Sequence, residues 1–270
     1  MYNSGRKVIF MIKYGAADYG LLVWYGNYYD YEERIMMVKE LGFDGLERLY
    51  TTSAEETLTR GAFLKKNGMD FATVNAHDVE HSIKWTAAMG KKYVWLNVMG
   101  GNCGRGRDYY GQRHEDYVRQ INDMTRVCNK YGIDAVLHNH LGQPAESQEE
   151  IETILKECPD TKLLFDVGHC AVAGGDVRYM VETYYDRIAA FHFKGWKISD
   201  TPDSPAWDRR GHFCGLGQGD LFVDNEFVYK HAVKKGFDGW VFVEHDTHKR
   251  DPLLDLKERY DLLKKWRTEV

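Results

Sequence analysis

Four short apolar segments of this sequence each end in a side chain that can bind a divalent metal ion. The segments have the composition of buried strands, and the side chains that follow them are His138, Asp166, His192 and Glu244. Two imidazoles and two carboxylates form a nitrogen and oxygen donor set that suits Mn²⁺, Zn²⁺, Co²⁺ or Fe²⁺. We therefore expect one bound divalent ion, with Mn²⁺ as the first choice.

Each of these residues taken alone has an ordinary structural explanation. Asp166 can cap the next helix, His192 can be a core histidine, and Glu244 can pair with a lysine or arginine. Their succession favours a shared site, because the carboxyl ends of all strands of a (β/α)₈ barrel meet at one face. Ligands that lie far apart in the sequence would then converge in space.

Further polar residues share the faces of these strands. His140 lies two residues after His138, and Lys194 lies two after His192, so each pair shares a strand face by alternation. Either His138 or His140 is therefore a candidate ligand from the fifth strand. Lys194 is a candidate group for holding a carboxylate, a phosphate or a ring hydroxyl of a substrate.

The ends of the other strands add weaker candidates. In the segment 166–169, we expect Gly168 to let the chain turn back and direct His169 inward. Glu47 and Asn97, at the ends of the second and fourth strands, are interpreted as groups that orient the ligands or bind substrate. His77 ends the third strand, and a role in the site and a role as a helix cap are equally compatible with its position.

The strands and helices that carry these residues are predicted from a repeated sequence pattern. Strands are predicted near 8–13, 43–49, 70–76, 92–98, 133–139, 162–166, 188–193 and 240–245, with a helical pattern after each. The phrase Gly-apolar-Asp recurs at Gly42, Gly68, Gly132 and Gly236, where it is typical of a helix end followed by a strand. The sequence thus predicts one α/β domain over residues 1–270, a single (β/α)₈ TIM barrel.

The segment 195–223 lacks clear periodicity and follows the seventh strand. Loops of this length are uncommon unless they are functional, so we expect a lid over the site. Trp196 and Trp207 lie in this segment and could cover an apolar sugar face, and the aromatic content of 14% fits such a cleft. Core packing is the more common reason for such a content.

The overall composition argues against several classes of protein. A net charge of -5 gives no basic surface for nucleic acid, and no apolar segment approaches the length of a membrane span. Five widely spaced cysteines without a CxxC motif favour a reducing, cytoplasmic compartment. We expect a small carbohydrate or cyclitol as the partner, while a homo-oligomer is neither required nor excluded.

The motifs resemble those of the xylose isomerase-like TIM-barrel superfamily, the sugar phosphate isomerase/epimerase group. The resemblance runs from the second strand to the last, through motifs that are only moderately specific one by one but occur in the family's order: Gly42-Phe-Asp-Gly-Leu-Glu47, Asp166-Val-Gly-His169, Ala173-Gly-Gly-Asp176, His192-Phe-Lys194, Gly215-Leu-Gly-Gln-Gly219 and Gly239-Trp-Val-Phe-Val-Glu244. It implies a metal held by the fifth-strand residue, Asp166, His192 and Glu244, and a substrate-binding role for His169.

One position departs from the epimerase pattern. Ketose 3-epimerases of this family carry a glutamate at the end of strand five that is both ligand and catalytic base, and His138 stands at that position here. The phrase Leu137-His-Asn-His-Leu-Gly142 resembles the inosose dehydratase branch instead. The resemblance therefore implies either an isomerase or epimerase or a lyase of the inosose dehydratase type.

The chemistry common to both is removal of a proton from carbon beside a carbonyl, with a metal-stabilised enediolate. Glu244 is the candidate base, and His140 or His169 the second proton carrier. Two readings of other classes remain: a metal-dependent phosphodiesterase like endonuclease IV, and a barrel that binds sugar without catalysis. The sequence leaves the substrate, its phosphorylation, the metal and the oligomeric state open.

Overall fold

Eight parallel strands form a nearly closed barrel surrounded by helices. The computed structural model describes residues 11–17, 21, 30–96, 114–244 and 250–270. The barrel strands are β1 (Lys13–Ala17), β2 (Gly45–Tyr50), β3 (Asp70–Asn75), β4 (Tyr93–Trp95), β5 (Asp134–His138), β6 (Lys162–Asp166), β7 (Ile188–Phe193) and β10 (Trp240–Glu244).

The helices that cover the barrel follow the strands in the alternating order that the sequence predicts. They are α1 (Tyr31–Glu40), α2 (Ala54–Lys66), α3 (Val79–Ala88), α4 (His114–Lys130), α5 (Gln148–Glu157), α7 (Val177–Tyr184), α9 (Asn225–Lys234) and α10 (Pro252–Thr268). Two short helices, α6 (Val167–Val172) and α8 (Trp207–Arg210), and a hairpin of β8 (Gly195–Ile198) and β9 (Gly211–Cys214) are additions to this alternation.

The strand order around the sheet is β3-β2-β1-β10-β7-β6-β5-β4. β3 and β4 lie side by side at the two ends of this order, where the Trp95 backbone N–H donates to Thr73 Oγ1 at 3.3 Å. The strand order and the alternation of strands and helices confirm the predicted TIM barrel.

No helix among the described residues is long and apolar enough to cross a membrane.

The repeated Gly-apolar-Asp phrase ends helices as predicted. Gly42, Gly68, Gly132 and Gly236 all have positive φ, between 68° and 100°, directly after α1, α2, α4 and α9. This left-handed conformation carries little penalty for glycine and a larger one for other residues. It reverses the chain so that the following apolar residue packs back toward the sheet.

The barrel interior contains an apolar layer directly beneath the polar residues. Val136, Leu164, Ala190 and Phe242 belong to one buried cluster inside the barrel. Because side chains alternate along a strand, the next inward position on each strand lies two residues further on. Those positions are His138, Asp166, His192 and Glu244.

The first strand lies further along the chain than predicted. The apolar segment 8–13 suggested a strand, yet the described strand is Lys13–Ala17, and residues 8–10 lie outside the described part of the chain. β1 contains Gly15, and a Cβ there would lie 2.3 Å from the Phe242 ring. Because the large ring of Phe242 fills the interior at this level, the neighbouring strand carries small residues and lacks a strand-like hydrophobic pattern.

Candidate metal and substrate site

Four strand ends bring the predicted ligands together at the carboxyl-terminal face. Asp166 Oδ2 lies 3.4 Å from His138 Nε2 and 3.4 Å from His192 Nδ1, and His192 Nδ1 lies 3.0 Å from Glu244 Oε2. All four side chains are buried. Asp166 belongs to two overlapping trios whose ligand atoms lie within 4.8 Å of one another: His138, Asp166 and His169, and Asp166, His192 and Glu244.

The donor atoms fit a divalent ion. His192 Nδ1 is buried and makes no regular hydrogen bond to any described residue, although two carboxylate oxygens approach it. Nitrogen and carboxylate atoms that converge without good hydrogen-bond geometry are typical of a ligand set. Two imidazoles and two carboxylates also match the donors that Mn²⁺, Zn²⁺, Co²⁺ and Fe²⁺ accept.

Glu47 fixes the orientation of His192. Its Oε1 lies 2.5 Å from His192 Nε2, and its Oε2 lies 3.3 Å from Arg48 Nε. Glu47 is fully buried and occupies the inward position of β2. A histidine ligand held at its second nitrogen by a carboxylate has a fixed ring orientation and is more basic toward a metal. The geometry thus fits the orienting role predicted for Glu47.

Asn139 and the start of α6 hold the Asp166 carboxylate. The Asn139 side chain accepts from the Asp166 backbone N–H at 2.8 Å and donates to the Asp166 carbonyl at 3.0 Å. Asp166 Oδ1 accepts the backbone N–H of His169 at 2.7 Å and so caps α6. With Oδ1 occupied by the cap, Oδ2 is the oxygen that faces the histidines. Sequence reasoning missed Asn139, because a buried asparagine between two histidines gives no pattern of its own.

Lys194 lies among the same oxygen atoms. Its Nζ is 2.9 Å from Asp166 Oδ2, donates to Glu244 Oε2, and lies 3.2 Å from His169 Nε2. The side chain is 0% exposed, and its Nζ lies 4.3 Å from the centre of the Phe213 ring. The predicted substrate-binding lysine is therefore in direct contact with two predicted ligands.

The charges of this cluster depend on one another. Burial opposes charge on Asp166 and Glu244, but the ammonium of Lys194 together with the neighbouring histidines outweighs it and holds the pKa of each carboxyl well below its ordinary value. Burial also opposes charge on His192, but the carboxylates of Glu47 and Glu244 hold its pKa well above the ordinary value. Burial lowers the pKa of His138.

His140 and His169 form a second layer above the ligands. Their ring centres are 3.8 Å apart, and burial lowers the pKa of His140 to about 4 and that of His169 well below its ordinary value. His140 Nδ1–H donates to the Leu141 carbonyl at 2.6 Å, which leaves Nε2 of the neutral ring with a lone pair. Of the site's four histidines, His140 alone is partly exposed.

The segment 195–223 is more ordered than a loop. It contains the β8–β9 hairpin and α8, and Trp207 on α8 has its ring centre 5.8 Å from that of His140. Trp196 is 2% exposed and packs with Leu141 and Phe213 beneath this layer. Trp207 is therefore the tryptophan of this hairpin that lies beside the histidines, and Trp196 supports it from below.

Three further sequence predictions have different outcomes. Asn97 lies outside the described residues. His77 is 52% exposed and pairs with Asp78, which caps α3, instead of entering the barrel. Gly168 does not have positive φ, and a Cβ there would lie 2.5 Å from Lys194 Cγ. The glycine is thus explained by the space that the Lys194 stem needs.

The known proteins that this chain resembles fall in the predicted superfamily. Inosose dehydratase of Lactiplantibacillus plantarum is 29% identical over 165 residues, which cover 56% of this chain and about half, 54%, of that protein. Inosose dehydratase of Mesomycoplasma hyopneumoniae strain J is 24% identical over 271 residues, covering 88% of this chain and 89% of that protein.

Similarity to solved structures supports the fold. The probable 3-DHS dehydratase AsbF of Bacillus anthracis, involved in petrobactin synthesis, superposes with a TM-score of 0.69 and 15% identity, over 94% of this chain and 99% of that one. The model of the xylose isomerase-like TIM barrel family matches residues 35–266. Because that match covers most of the sequence, the chain belongs to the xylose isomerase-like TIM barrel family.

Proposed function

We propose that this protein is a metal-dependent lyase that removes water from a 2-keto-cyclitol, as the name of its inosose dehydratase relatives describes for them. The observation that carries the proposal is the end of β5. It supplies His138 and His140 where the epimerases that the sequence resembles have a second catalytic glutamate. The relatives' name supports the same choice.

Loss of water needs fewer proton carriers than epimerisation. The C–H bond beside the carbonyl breaks, its electron pair forms a C=C bond, and the C–O bond of the β-hydroxyl breaks. Proton and hydroxyl leave as water, and the remaining hydroxy-enone becomes a 1,2-diketone by transfer of one proton from oxygen to carbon. A single base can pass its proton to the leaving hydroxyl, whereas inversion at carbon requires carriers on opposite faces.

We assign the proton transfer to His140. Its ring is neutral, Nε2 has a lone pair, and partial exposure allows contact with a substrate. Glu244, the base expected from the sequence, is less suited, because Lys194 and His192 engage its Oε2 and stabilise the charged form. Its role in the proposal is that of a ligand.

The remaining residues of the site would hold the metal ion or contact the substrate. His138, Asp166, His192 and Glu244 would hold the divalent ion, with Mn²⁺ as the proposed ion. When bound, such an ion supplies Lewis-acid polarisation of the substrate carbonyl. The Trp207 ring offers an apolar surface to the C–H face of a cyclitol, and His169 lies beside it, with ring centres 6.4 Å apart.

The test uses the purified protein with 2-keto-myo-inositol in deuterated buffer. We expect a product lighter by one water that absorbs as a diketone, and no deuterium uptake at C3 of simple ketoses or their phosphates. Deuterium uptake into a ketose without an unsaturated product would instead establish the epimerase or isomerase alternative. If neither substrate set reacts, proton abstraction is not the activity, and the binding-only alternative becomes the leading one.

Metal dependence and the phosphodiesterase alternative have separate measurements. We expect elemental analysis to find about one divalent ion per chain and chelation to remove both the ion and the dehydration. Cleavage of abasic-site DNA by the same preparation would favour the endonuclease-like alternative.

The variant His138→Glu restores the carboxylate of the epimerase pattern. We expect this variant to keep the metal, because a carboxylate at this position can also act as a ligand. Epimerase activity that appears only in this variant would support the loss of a second base as the reason for the divergence.

A further inference from the structure

We propose that Lys194 is an internal cation that holds the two carboxylate ligands together before the metal binds and that weakens the binding of the metal by contacting the same oxygen atoms. This inference rests on the divalent metal of the proposed function. It concerns how the protein folds around a cluster of charges and how tightly it binds the ion.

The contacts of Lys194 coincide with the ligand atoms. Nζ lies 2.9 Å from Asp166 Oδ2 and donates to Glu244 Oε2. These are the oxygens that face His192 Nδ1 at 3.4 and 3.0 Å. A ligand oxygen lies about 2.0–2.2 Å from a bound Zn²⁺, so ammonium and metal would share both oxygens at close range.

The surroundings keep Lys194 in this position. Its side chain is 0% exposed, Gly168 leaves room for its stem, and the Phe213 ring lies 4.3 Å from Nζ. Asn225 Nδ2 also donates to the Lys194 carbonyl at 3.0 Å and fixes the backbone. The ammonium therefore has packed protein, and not bulk water, on its other sides.

The charge of Lys194 should have opposite effects on the metal-free protein and on metal binding. Without a metal, two buried carboxylates beside each other repel, and one lysine compensates part of that repulsion. With a metal, the lysine becomes a like charge close to a divalent ion, in a region where charges are poorly screened. Removing the lysine charge should therefore destabilise the metal-free protein and strengthen metal binding.

The experiment compares Lys194→Met with Lys197→Met after removal of metal. Methionine keeps an unbranched stem but has neither the charge nor the N–H donors of lysine, and Lys197 is an exposed lysine three residues further along the chain, on β8. Metal-free melting temperatures and Mn²⁺ dissociation constants are measured by calorimetry. For Lys194→Met we expect a lower metal-free melting temperature, a dissociation constant lower by roughly tenfold or more, and a larger stabilisation by Mn²⁺. Lys197→Met should match the wild type.

The results of these measurements distinguish failure of the inference on Lys194 from failure of the proposed function. If wild-type protein binds no divalent ion, the proposed function fails. If wild type binds Mn²⁺ and Lys194→Met binds it equally or less tightly, the inference fails while the proposed function stands. If Lys194→Met folds only with Mn²⁺ present, the inference is supported, since the ion replaces the lost cation. If Lys194→Met and Lys194→Gln both stay unfolded with Mn²⁺, it is overturned.

Discussion

The protein contains two groups of histidines and carboxylates with opposite properties. The barrel cluster, His138, Asp166, His192 and Glu244, is buried and assembled from four strands. The surface trio, His77, Asp78 and His81, lies within one turn at the start of α3, with side chains 42–52% exposed. The ligand atoms of the surface trio lie within 4.8 Å of one another, and so do those of Asp166, His192 and Glu244 in the barrel cluster.

The difference lies in what satisfies the polar atoms. In the surface trio, Asp78 Oδ1 accepts the His81 backbone N–H at 2.8 Å, and Oδ2 lies 2.7 Å from His81 Nδ1. These bonds make a helix cap, and the side chains of the trio are exposed to solvent. In the barrel cluster, His192 Nδ1 approaches two carboxylate oxygens without a regular bond. Ligand types can thus lie close together for a purely local reason, whereas a buried His192 Nδ1 that faces two carboxylates without a regular hydrogen bond is the feature that supports the proposed metal site.

The largest difference between the two groups is expected when the carboxylate shared by both barrel trios is removed. Asp166→Ala should lose almost all bound metal and the dehydration activity, because Asp166 belongs to both ligand trios. It also leaves buried Lys194 with one partner fewer, so the free energy of unfolding should fall by roughly 3–5 kcal/mol. Elemental analysis and denaturant unfolding measure both effects.

Asp166→Asn is the matched control, because an amide oxygen can still accept the His169 backbone N–H that caps α6. We expect it to lose the metal but to keep more stability than alanine. Full metal occupancy in either variant would contradict the assignment of Asp166 as a ligand.

The next largest effect concerns His140, the proposed proton carrier above the cluster. His140→Gln should leave metal content unchanged and lower kcat by about 10²–10⁴, the usual contribution of a general base. Steady-state kinetics with 2-keto-myo-inositol and elemental analysis of the same sample check both parts. A kcat near that of the wild type would show that His140 is not the carrier.

A smaller loss is expected for Glu244→Gln. An amide oxygen coordinates weakly, so metal affinity should fall by about 10–100-fold, as for disturbed metal sites generally. Excess Mn²⁺ should then restore most of the activity. If saturating Mn²⁺ leaves a deficit of about 10²–10⁴ in kcat, Glu244 is the proton-accepting base that the sequence suggested.

The surface trio should give the smallest effect. The double variant His77→Ala and His81→Ala should keep the metal stoichiometry and the kinetic constants of the wild type, because neither side chain enters the barrel. Its melting temperature should change only slightly, since both histidines are exposed. Loss of about one metal ion per chain in this variant would show that the trio, and not the barrel, holds the ion.

The barrel and most of its boundaries were predictable because they depend on local chemistry. α2 occupies Ala54–Lys66 as predicted, although its threonines weaken the pattern, because Ser53 caps it and acidic and basic residues lie at suitable ends. β6 and β7 also match. The first strand was misplaced because Gly15 at its centre is explained by the space that the Phe242 ring occupies, and Phe242 lies far away in the sequence.

The succession of strands, the helix ends at the connector glycines and the residue types at the strand ends could be predicted from the sequence, since periodicity and turn chemistry act over a few residues. Which polar side chains contact one another depended on the tertiary structure. It directed Glu47 to His192, set Lys194 between Asp166 and Glu244, kept His77 outside and buried Trp196. The physical reason is that burial and charge compensation depend on neighbours from distant strands, and closure of the barrel is what makes them neighbours.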